Sequence, residues 1–307
     1  MKLFKYIVAT LVVMSGALVS CSDKDIIDEY EIDKVGGNKA LVQIMYMEPM
    51  TAATNANRIY CIELNGNKIY NQNTEVLARY NAFPGGAVGL FESVDAGTLN
   101  IKLYRGEFKK VPDPEKGGVE EKDSLFLLEY YNQNITLNAG DQGSCVIYDK
   151  DKAPVFIPLG EIAKGTTTDE DGTADWAAVR LYNFMFDSNG QPTTGKVQLR
   201  MKDVDGDGSY IPLGEPIGFG EATSWQTTYV HKASYNSGGS QRRDLDCVFV
   251  DGSGNYTDIS WVNSNGAARA SFTDYWTLTI GRAYAWYLRG VRDDKSYPIA
   301  ITQWTCR

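Results

Sequence analysis

The sequence is poor in histidine, carries no excess of basic residues and contains no convincing amphipathic helix. His231 is the only histidine, which excludes a zinc site built from several histidines and makes a Ser-His-Asp triad a poor prospect. The formal net charge is −9, with no basic stripe along the chain, so we expect no nucleic-acid partner. We therefore expect no catalytic residues, no metal and no cofactor.

The apolar run at the N-terminus is short. Lys2 and Lys5 precede Tyr6–Val19, which is too short for a comfortable membrane span and is typical of a secretory signal. The segment ends in Leu18-Val19-Ser20-Cys21, which resembles the bacterial lipobox. The resemblance implies that Cys21 becomes the first mature residue and that its acyl chains tether the protein to a membrane. The alternative is an ordinary cleaved signal with a chance cysteine.

The residues after Cys21 predict a flexible acidic tether. Residues 22–38 are rich in Asp and Glu, end in a Gly-Gly pair and lack the apolar pattern needed to bury a core. Ser22-Asp23-Lys24-Asp25 resembles the serine-plus-acidic export tag of surface lipoproteins in the Bacteroides group. A solvated acidic linker without an export signal is the alternative.

The rest of the chain alternates short β-strand patterns with Gly, Asn and Asp turns. Val42, Ile44 and Tyr46 share one face of an early strand. Asn65-Gly66 is a strong hairpin signal, because both residues tolerate positive φ. The stretch Gly106–Asp123 contains prolines, glycines and many charges, which predicts a surface loop. The predicted fold class is all-β.

The strand patterns occur twice in the same order. Thr136-Leu137 and Thr277-Leu278 begin matching strand–turn–strand segments, and Ala40–Ile44 matches Ala177–Leu181. Roughly seven strands in a unit of about 130 residues is typical of an immunoglobulin-like sandwich, and a unit of this size can bury its own core. The predicted organisation is a lipoprotein signal peptide (1–20), a flexible acidic tether (21–38), a first β-sandwich domain (39–162), a linker (163–175) and a second β-sandwich domain (176–307).

Two sequence features resemble a known family. They are the Val-Asp-Ala-Gly-Thr-Leu-Asn-Ile stretch at Val94–Ile101 and the Thr-Leu-x-x-Gly turns at Thr136 and Thr277. They are similar to uncharacterised domains that occur in tandem pairs in Bacteroidota lipoproteins and have immunoglobulin-like strands. The second unit departs from the family, because a long Ser/Gly/Asn loop at Tyr229–Asp244 replaces the tight turn. The resemblance implies a fold but transfers no catalytic residue.

The cysteines that follow the signal occur as two in each unit, Cys61 with Cys145 and Cys247 with Cys306. An exported protein can form disulfides, so these two pairings are the natural predictions among three connectivities. However, Cys145 aligns with Trp286 in the repeat, so the units do not share one ancestral bridge. Buried free thiols are the alternative.

Asp203–Gly208 is the sharpest local motif, because its alternating aspartates match the first half of an EF-hand calcium loop. The twelfth position of that loop is Gly214, and Glu215 arrives one residue late. A hairpin turn without metal is the alternative, and it is the interpretation that we favour.

Aromatic residues are the remaining indication of function. Trp225 and Tyr229 lie near a polar loop of the second unit, and Trp261 precedes an Asn/Gly-rich segment. Exposed rings of this kind stack on sugars or anchor protein interfaces, so these three residues are candidate ligand contacts. The alternative for Trp225 and Trp261 is packing, as we predict for Trp286, which alternates with Tyr284.

Three functions from different classes remain. The first is a non-catalytic binding or adhesion module, lipid-anchored in the outer membrane and facing the cell exterior, that contacts a glycan or an outer-membrane protein. The second is a structural or fimbria-like accessory subunit of an outer-membrane complex. The third and weakest is a carboxylate-based glycoside hydrolase, since the chain has 39 acidic residues but no pair stands out. We expect the first.

Overall fold

A computed structural model describes residues 37–49, 58–71, 74–85, 90–118, 120–165, 175–203, 206–230 and 240–306. The fold is all-β, as the sequence predicts, and within these ranges the one helical element is a 3-10 turn at Pro114–Lys116. No helix in these ranges is long and apolar enough to span a membrane. The predicted signal peptide, Cys21 and the export tag lie outside the described residues.

The first half of the fold consists of two facing sheets. Its strands are β1 (Lys39–Tyr46), β2 (Arg58–Leu64), β3 (Asn67–Tyr70), β4 (Leu77–Ala78), β5 (Ala82–Phe83), β6 (Glu92–Asp95), β7 (Gly97–Pro112), β8 (Glu121–Leu137), β9 (Gln142–Ile147) and β10 (Val155–Pro158). Inner sheet 1 has the order β10-β9-β1-β5, and β6 also pairs with β1. Outer sheet 1 has the order β3-β2-β7-β8, and β4 also pairs with β2.

The second half repeats this plan. Its strands are β11 (Trp176–Phe186), β12 (Lys196–Lys202), β13 (Tyr210–Pro212), β14 (Gln226–Tyr229), β15 (Ser240–Val250), β16 (Tyr256–Asp258), β17 (Trp261–Val262), β18 (Ala268–Arg269), β19 (Phe272–Thr279), β20 (Ala283–Val291) and β21 (Ala300–Thr305). Inner sheet 2 has the order β14-β11-β20-β21. Outer sheet 2 has the order β13-β12-β15-β16, β19 also pairs with β15, and β17 and β18 form a small hairpin.

The repeat that the sequence predicts is present in the strand pairing. β1 pairs in parallel with β9, which places Ile44 opposite Cys145, and β11 pairs in parallel with β20, which places Leu181 opposite Trp286. These four residues are the ones that the sequence alignment of the two units makes equivalent. The domain boundaries and the immunoglobulin-like assignment stay predictions, because residues 38–307 form one compact unit.

Each half has a core between its inner and outer sheet. In core 1, Val42 and Ile44 of β1 and Cys145 of β9 pack against Ile62 of β2 and Ile101 of β7. Core 2 is the equivalent cluster in the second half, and its members include Val179, Leu199, Leu245, Tyr284 and Trp286. Trp286 is completely buried beside Tyr284, which confirms the packing role predicted for it.

The inner sheets also bury their second faces, against each other. Met45 and Val146 of inner sheet 1 form one cluster with Tyr182, Phe184 and Tyr287 of inner sheet 2, which we call the shared layer. The rings of Tyr182 and Tyr287 are stacked with centroids 4.4 Å apart, and burial raises the pKa of Tyr182 to about 12. Strands covered on both faces are mostly apolar, and β11 is apolar except for Arg180 and Asn183. The result is a stack of four sheets.

Arg180 joins the two halves through backbone carbonyls. Its guanidinium is almost fully buried and donates from Nη1 to the carbonyl oxygens of Pro158 and Leu159 at 2.6 and 2.7 Å, and from Nε to that of Thr223 at 2.6 Å. The Nε1 of Trp225 donates to the same Leu159 oxygen at 2.7 Å. A buried cation is tolerated only when its donors are satisfied, so these carbonyls fix the end of the first half against β11.

The sequence prediction of a loop at Gly106–Asp123 is wrong, because the segment is a β-hairpin. β7 and β8 pair continuously from Gly97 opposite Leu137 to Pro112 opposite Glu121. The pairing of β7 with β2 ends at Arg105, so residues 106–128 project as a two-stranded ribbon, which we call the arm. The prolines and glycines close its tip, where Gly117 is left-handed with φ 66°, and do not interrupt its strands.

The shared layer predicts that both halves unfold together. In the fragment 36–307, all six tryptophans report on the second half, whereas Cys61 and Cys145 report on the first. With Cys247 and Cys306 replaced by alanine, the change in tryptophan fluorescence and the gain in thiol reactivity should have the same urea midpoint. Two separate midpoints would show that each half is stable without the other.

Candidate binding surface

The outer face of outer sheet 2 is built by strict alternation. On β15, Leu245 and Cys247 point into core 2, so Asp244 and Asp246 point away from it. On β19, Tyr275 is 54% exposed and lies opposite Asp244. The sheet therefore presents one face to core 2 and a second face, with polar and aromatic side chains, to solvent.

One row of this face begins and ends with a tyrosine. Tyr210 of β13 pairs with Lys202 of β12. On its other side β12 pairs with β15, where Met201 lies opposite Leu245, so Lys202, the next residue, lies beside Asp244. Asp244 pairs in turn with Tyr275. Neighbouring strands are spaced about 4.8 Å apart, so the two tyrosines lie about 14 Å apart across the sheet.

The adjacent row carries a shielded ion pair. Arg200 donates from Nε and Nη2 to the two carboxylate oxygens of Asp246 at 2.9 and 2.6 Å, and this hydrogen bonding raises the pKa of Arg200. Asp246 is only 6% exposed. The guanidinium lies 5.1 Å from the ring centroid of Tyr256 and 6.0 Å from that of Tyr210. Both tyrosines thus shield a bidentate pair.

Arg242 covers one side of Tyr275. Its guanidinium carbon lies 3.7 Å from the ring centroid, and its Nε donates to the Asp244 carboxylate at 2.9 Å. Contacts of this kind between arginine and an aromatic ring hold both side chains in place. We call the outer-face residues Tyr210, Tyr256, Tyr275, Arg200 and Arg242 the tyrosine–arginine face.

The ligand contacts predicted from the sequence do not form one site. Trp225 is 8% exposed and packs near Leu159, so the packing alternative describes it. Trp261 donates from Nε1 to the Ser271 carbonyl at 3.1 Å and makes an edge contact with Phe272. Tyr229 keeps an exposed ring, at 39%.

Tyr229 and Trp261 lie at opposite ends of β11. Tyr229 pairs with Trp176, at the first residue of the strand. Val262, next to Trp261, donates to the Arg292 carbonyl, and Arg292 donates to the carbonyl of Phe186, the last residue of β11. At about 3.3 Å per residue the strand separates the two ends by about 33 Å. One small ligand cannot contact both.

The tyrosine–arginine face was not predicted from the sequence, because residues 229–244 were assigned to a loop. Within the described residues, Ser240–Asp244 instead begin β15. Once this strand is extended to Ser240, the alternation of Arg242, Asp244 and Asp246 with Leu245 and Cys247 predicts a solvent-facing charged row. That alternation is the sequence feature from which the face could have been predicted.

All four cysteines of the described residues are free thiols, so neither disulfide pairing forms and the free-thiol alternative describes them. Cys145 lies in core 1, whereas Cys61 alternates with the core residue Ile62 and points to the other face of β2. Cys247 lies in core 2 and Cys306 contacts the shared layer. Burial raises the pKa of Cys145 to about 12 and that of Cys306 to about 11, which makes these thiols unreactive.

The described residues of the calcium-like motif, Asp203 and Gly206–Gly208, lie between β12 and β13. Asp203 accepts a hydrogen bond from the Gly206 amide at 3.1 Å, and Asp207 accepts one from the Ser209 amide at 2.8 Å. Hydrogen bonds from the Ser209 side chain and from its amide hold the pKa of the Asp207 carboxyl below its usual range. Carboxylates that bind turn amides are typical of the hairpin alternative. The structure does not describe residues 204 and 205.

Among the described residues, no group of three or more His, Cys, Asp or Glu side chains is arranged to hold a metal ion. His231, the one histidine, lies outside them.

Comparisons with known proteins give distant structural likenesses only. No protein-family model and no curated protein matches the chain. Solved structures that resemble it include a proposed cell adhesion protein from Bacteroides uniformis, with 10% identity, a TM-score of 0.23, and coverage of 88% of this chain and 98% of that one. A proposed cell adhesion protein from Parabacteroides distasonis has 9% identity, a TM-score of 0.20, and coverage of 88% and 100%.

A proposed adhesin from Bacteroides ovatus has 8% identity, a TM-score of 0.18, and coverage of 86% of this chain and 93% of that one. TM-scores this low support no argument about function, so the proposals below depend on the geometry of the chain itself.

The turn geometry predicts that calcium does not stabilise the protein. A ligand at a hundred times its dissociation constant would raise the free energy of unfolding by about 2.7 kcal/mol. We expect the melting temperature of fragment 36–307 to be the same in millimolar calcium and in chelator. A rise in calcium that is lost in Asp203→Asn, which keeps the shape of the side chain, would contradict the turn interpretation.

Proposed function

We propose that this protein is a non-catalytic binding module that is anchored to the outer membrane through Cys21 and contacts another protein through the tyrosine–arginine face. The observation that carries the proposal is the exposure of Tyr256 and Tyr275, at 47% and 54%, on an otherwise well-packed sheet. Tyrosine and arginine are the residues most enriched among those that dominate binding energy at protein interfaces.

The packing of the face favours a protein partner over a glycan. A sugar that stacks on tyrosine needs a free ring face, whereas Arg242 already covers one side of Tyr275 at 3.7 Å. The arginines are paired with Asp244 and Asp246, so the face presents ordered side chains that lose little entropy on binding. A glycan ligand is the alternative that the experiment below distinguishes.

The same contacts disfavour hydrolysis at this face. A glycosidase needs two carboxyl groups that reach the scissile bond. Both carboxylate oxygens of Asp246 accept hydrogen bonds from Arg200, and the residue is almost fully buried. The geometry of Asp246 therefore favours a structural ion pair with Arg200 over a catalytic role.

The anchor and the location are part of the proposal and are supported by the sequence. Cys21 follows an apolar segment with the spacing of a lipobox, and two or more acyl chains give stable membrane attachment. The Ser22–Asp25 segment resembles an export tag, and the acidic residues up to 38 would hold the sandwiches away from the membrane. Outward exposure would bring the tyrosine–arginine face within reach of partners outside the cell.

The binding proposal predicts that two substitutions on the face weaken partner binding strongly. Fragment 36–307 is first used to capture partners from outer-membrane extracts and is applied in parallel to a glycan array. For a captured partner, Tyr275→Ala and Arg242→Ala should each raise the Kd about 30-fold, the effect of a hot-spot residue of about 2 kcal/mol. Both residues are exposed, so the variants should retain the melting temperature.

Tyr229→Ala is the matched control, because Tyr229 is an exposed tyrosine of inner sheet 2. It should bind with unchanged Kd. If Tyr229→Ala abolishes binding and Tyr275→Ala does not, the proposed face is wrong. Glycan-array binding that depends on Tyr275 would replace the protein partner with a glycan.

The location proposal predicts that protease added to intact cells digests this protein while periplasmic markers survive. Alanine at Asp23, Lys24 and Asp25 should leave the lipid on Cys21, detected by metabolic labelling with a fatty acid, but should protect the protein from protease. Protection of the unaltered protein would place it on the periplasmic side.

A further inference from the structure

The arm has a free strand edge. Within the described residues β8 hydrogen-bonds to one neighbour, β7. A β-bulge near Tyr130 interrupts the β7–β8 register, so the regular part of this edge is residues 121–129. Unpaired backbone N–H and C=O groups along such an edge can bind another strand, and proteins normally protect them.

Apolar side chains make this edge unusual. Phe126 and Leu128 share one face of the arm and are 43% and 50% exposed, and Phe108 of β7, on the other face opposite Leu125, is 51% exposed. On the opposite face of β8, Leu125 and Leu127 are half-buried. Exposed edge strands usually carry charges that prevent association, whereas the middle of this one carries four consecutive apolar residues.

The charges of the arm are unevenly paired. Its lysines bind acidic residues of the arm itself: Lys109 with Glu107, Lys110 with Asp123, Lys116 with Glu120, and Lys122 with Asp113. In contrast, no lysine or arginine of the described residues forms an ion pair with Glu121 or Glu129. These two glutamates share one face of β8 with Leu125 and Leu127, since they are separated by even numbers of residues.

We propose that β8 binds an extended segment of a partner protein by antiparallel strand addition. The side chains of β8 specify this segment: a basic residue opposite Glu129, apolar residues two and four positions later, and a second basic residue eight positions later, opposite Glu121. Main-chain hydrogen bonds supply affinity, and the alternating side chains supply specificity. This surface is separate from the tyrosine–arginine face, which belongs to the other outer sheet.

Charge argues against a second copy of this chain as the occupant. In antiparallel pairing about a two-fold axis, residues on the same face must lie opposite each other. Centring the pair on Leu125 places Glu121 opposite Glu129, and centring it on Phe126 places Asp123 opposite Glu129. Like charges directly opposite are destabilising, so these two self-pairings are disfavoured. Centring the pair on Ser124 places Glu121 opposite Leu127 and Asp123 opposite Leu125, which sets carboxylates against apolar side chains.

A displayed library of random peptides, selected on fragment 36–307, tests the proposal. Enriched peptides should contain the basic–apolar–apolar–basic spacing described above. A synthetic peptide with that spacing should bind the double variant Leu125→Ser/Leu127→Ser about tenfold more weakly than it binds the unaltered fragment, because two buried apolar contacts are removed. The control is Thr277→Ala, an exposed residue of β19 in the other outer sheet, which should bind as the unaltered fragment does.

Charge reversal separates recognition from loss of folding. The Glu129→Lys variant should not bind the peptide that has a basic residue opposite position 129. It should bind a peptide that has glutamate at that position instead. Selected peptides without the spacing, or binding that Glu129→Lys leaves unchanged, would overturn the proposal. A dimer in sedimentation measurements that Leu127→Ser dissociates would also overturn it, in favour of a second copy. Because these variants leave Tyr275 intact, failure here is distinguishable from failure of the proposed function.

Discussion

The contact between the two inner sheets is the constraint on which the rest of the structure depends. Arg180 is central to it, because a buried guanidinium satisfied by the carbonyl oxygens of Pro158, Leu159 and Thr223 ties β11 to the end of the first half. Removing the side chain would leave buried acceptors unpaired as well as a gap. Tyr182 and Tyr287, which stack as neighbours within inner sheet 2, add apolar burial on that side of the shared layer. We therefore expect the two halves to unfold as one body, although each has its own core.

The stack of four sheets limits which surfaces of the protein can contact other molecules. Both faces of the inner sheets are used, one by core 1 or core 2 and the other by the shared layer. The broad surfaces left to solvent are the outer faces of the outer sheets, and the arm extends one of those sheets. Both proposed sites lie there: the tyrosine–arginine face on outer sheet 2 and the β8 edge on outer sheet 1. The architecture explains their position without reference to any ligand.

The sequence predicted the strands, the repeat and the buried Trp286, because alternation and Asn-Gly turns are properties of neighbouring residues. It failed at the arm, where proline and glycine at the tip were taken to break the flanking strands. It left disulfides and buried thiols open for the cysteines, because the layer that each cysteine occupies depends on which face of its strand meets the core. The shared layer could not be predicted, since a strand buried on both faces shows only an apolar run and does not identify what covers it.

The two outer surfaces differ in how their charges are satisfied, and this difference implies different modes of recognition. On the tyrosine–arginine face, Arg200 and Arg242 are paired with neighbouring aspartates, so side-chain shape and the exposed tyrosine rings must provide the contacts. On the arm, Glu121 and Glu129 form no ion pair with a lysine or arginine of the described residues, and within the same residues the outer backbone edge of β8 is open. A partner there must bring both hydrogen-bonding groups and positive charge, which only an extended basic segment supplies together. The two proposals together imply that two partners could bind at once, because the proposed surfaces belong to different outer sheets.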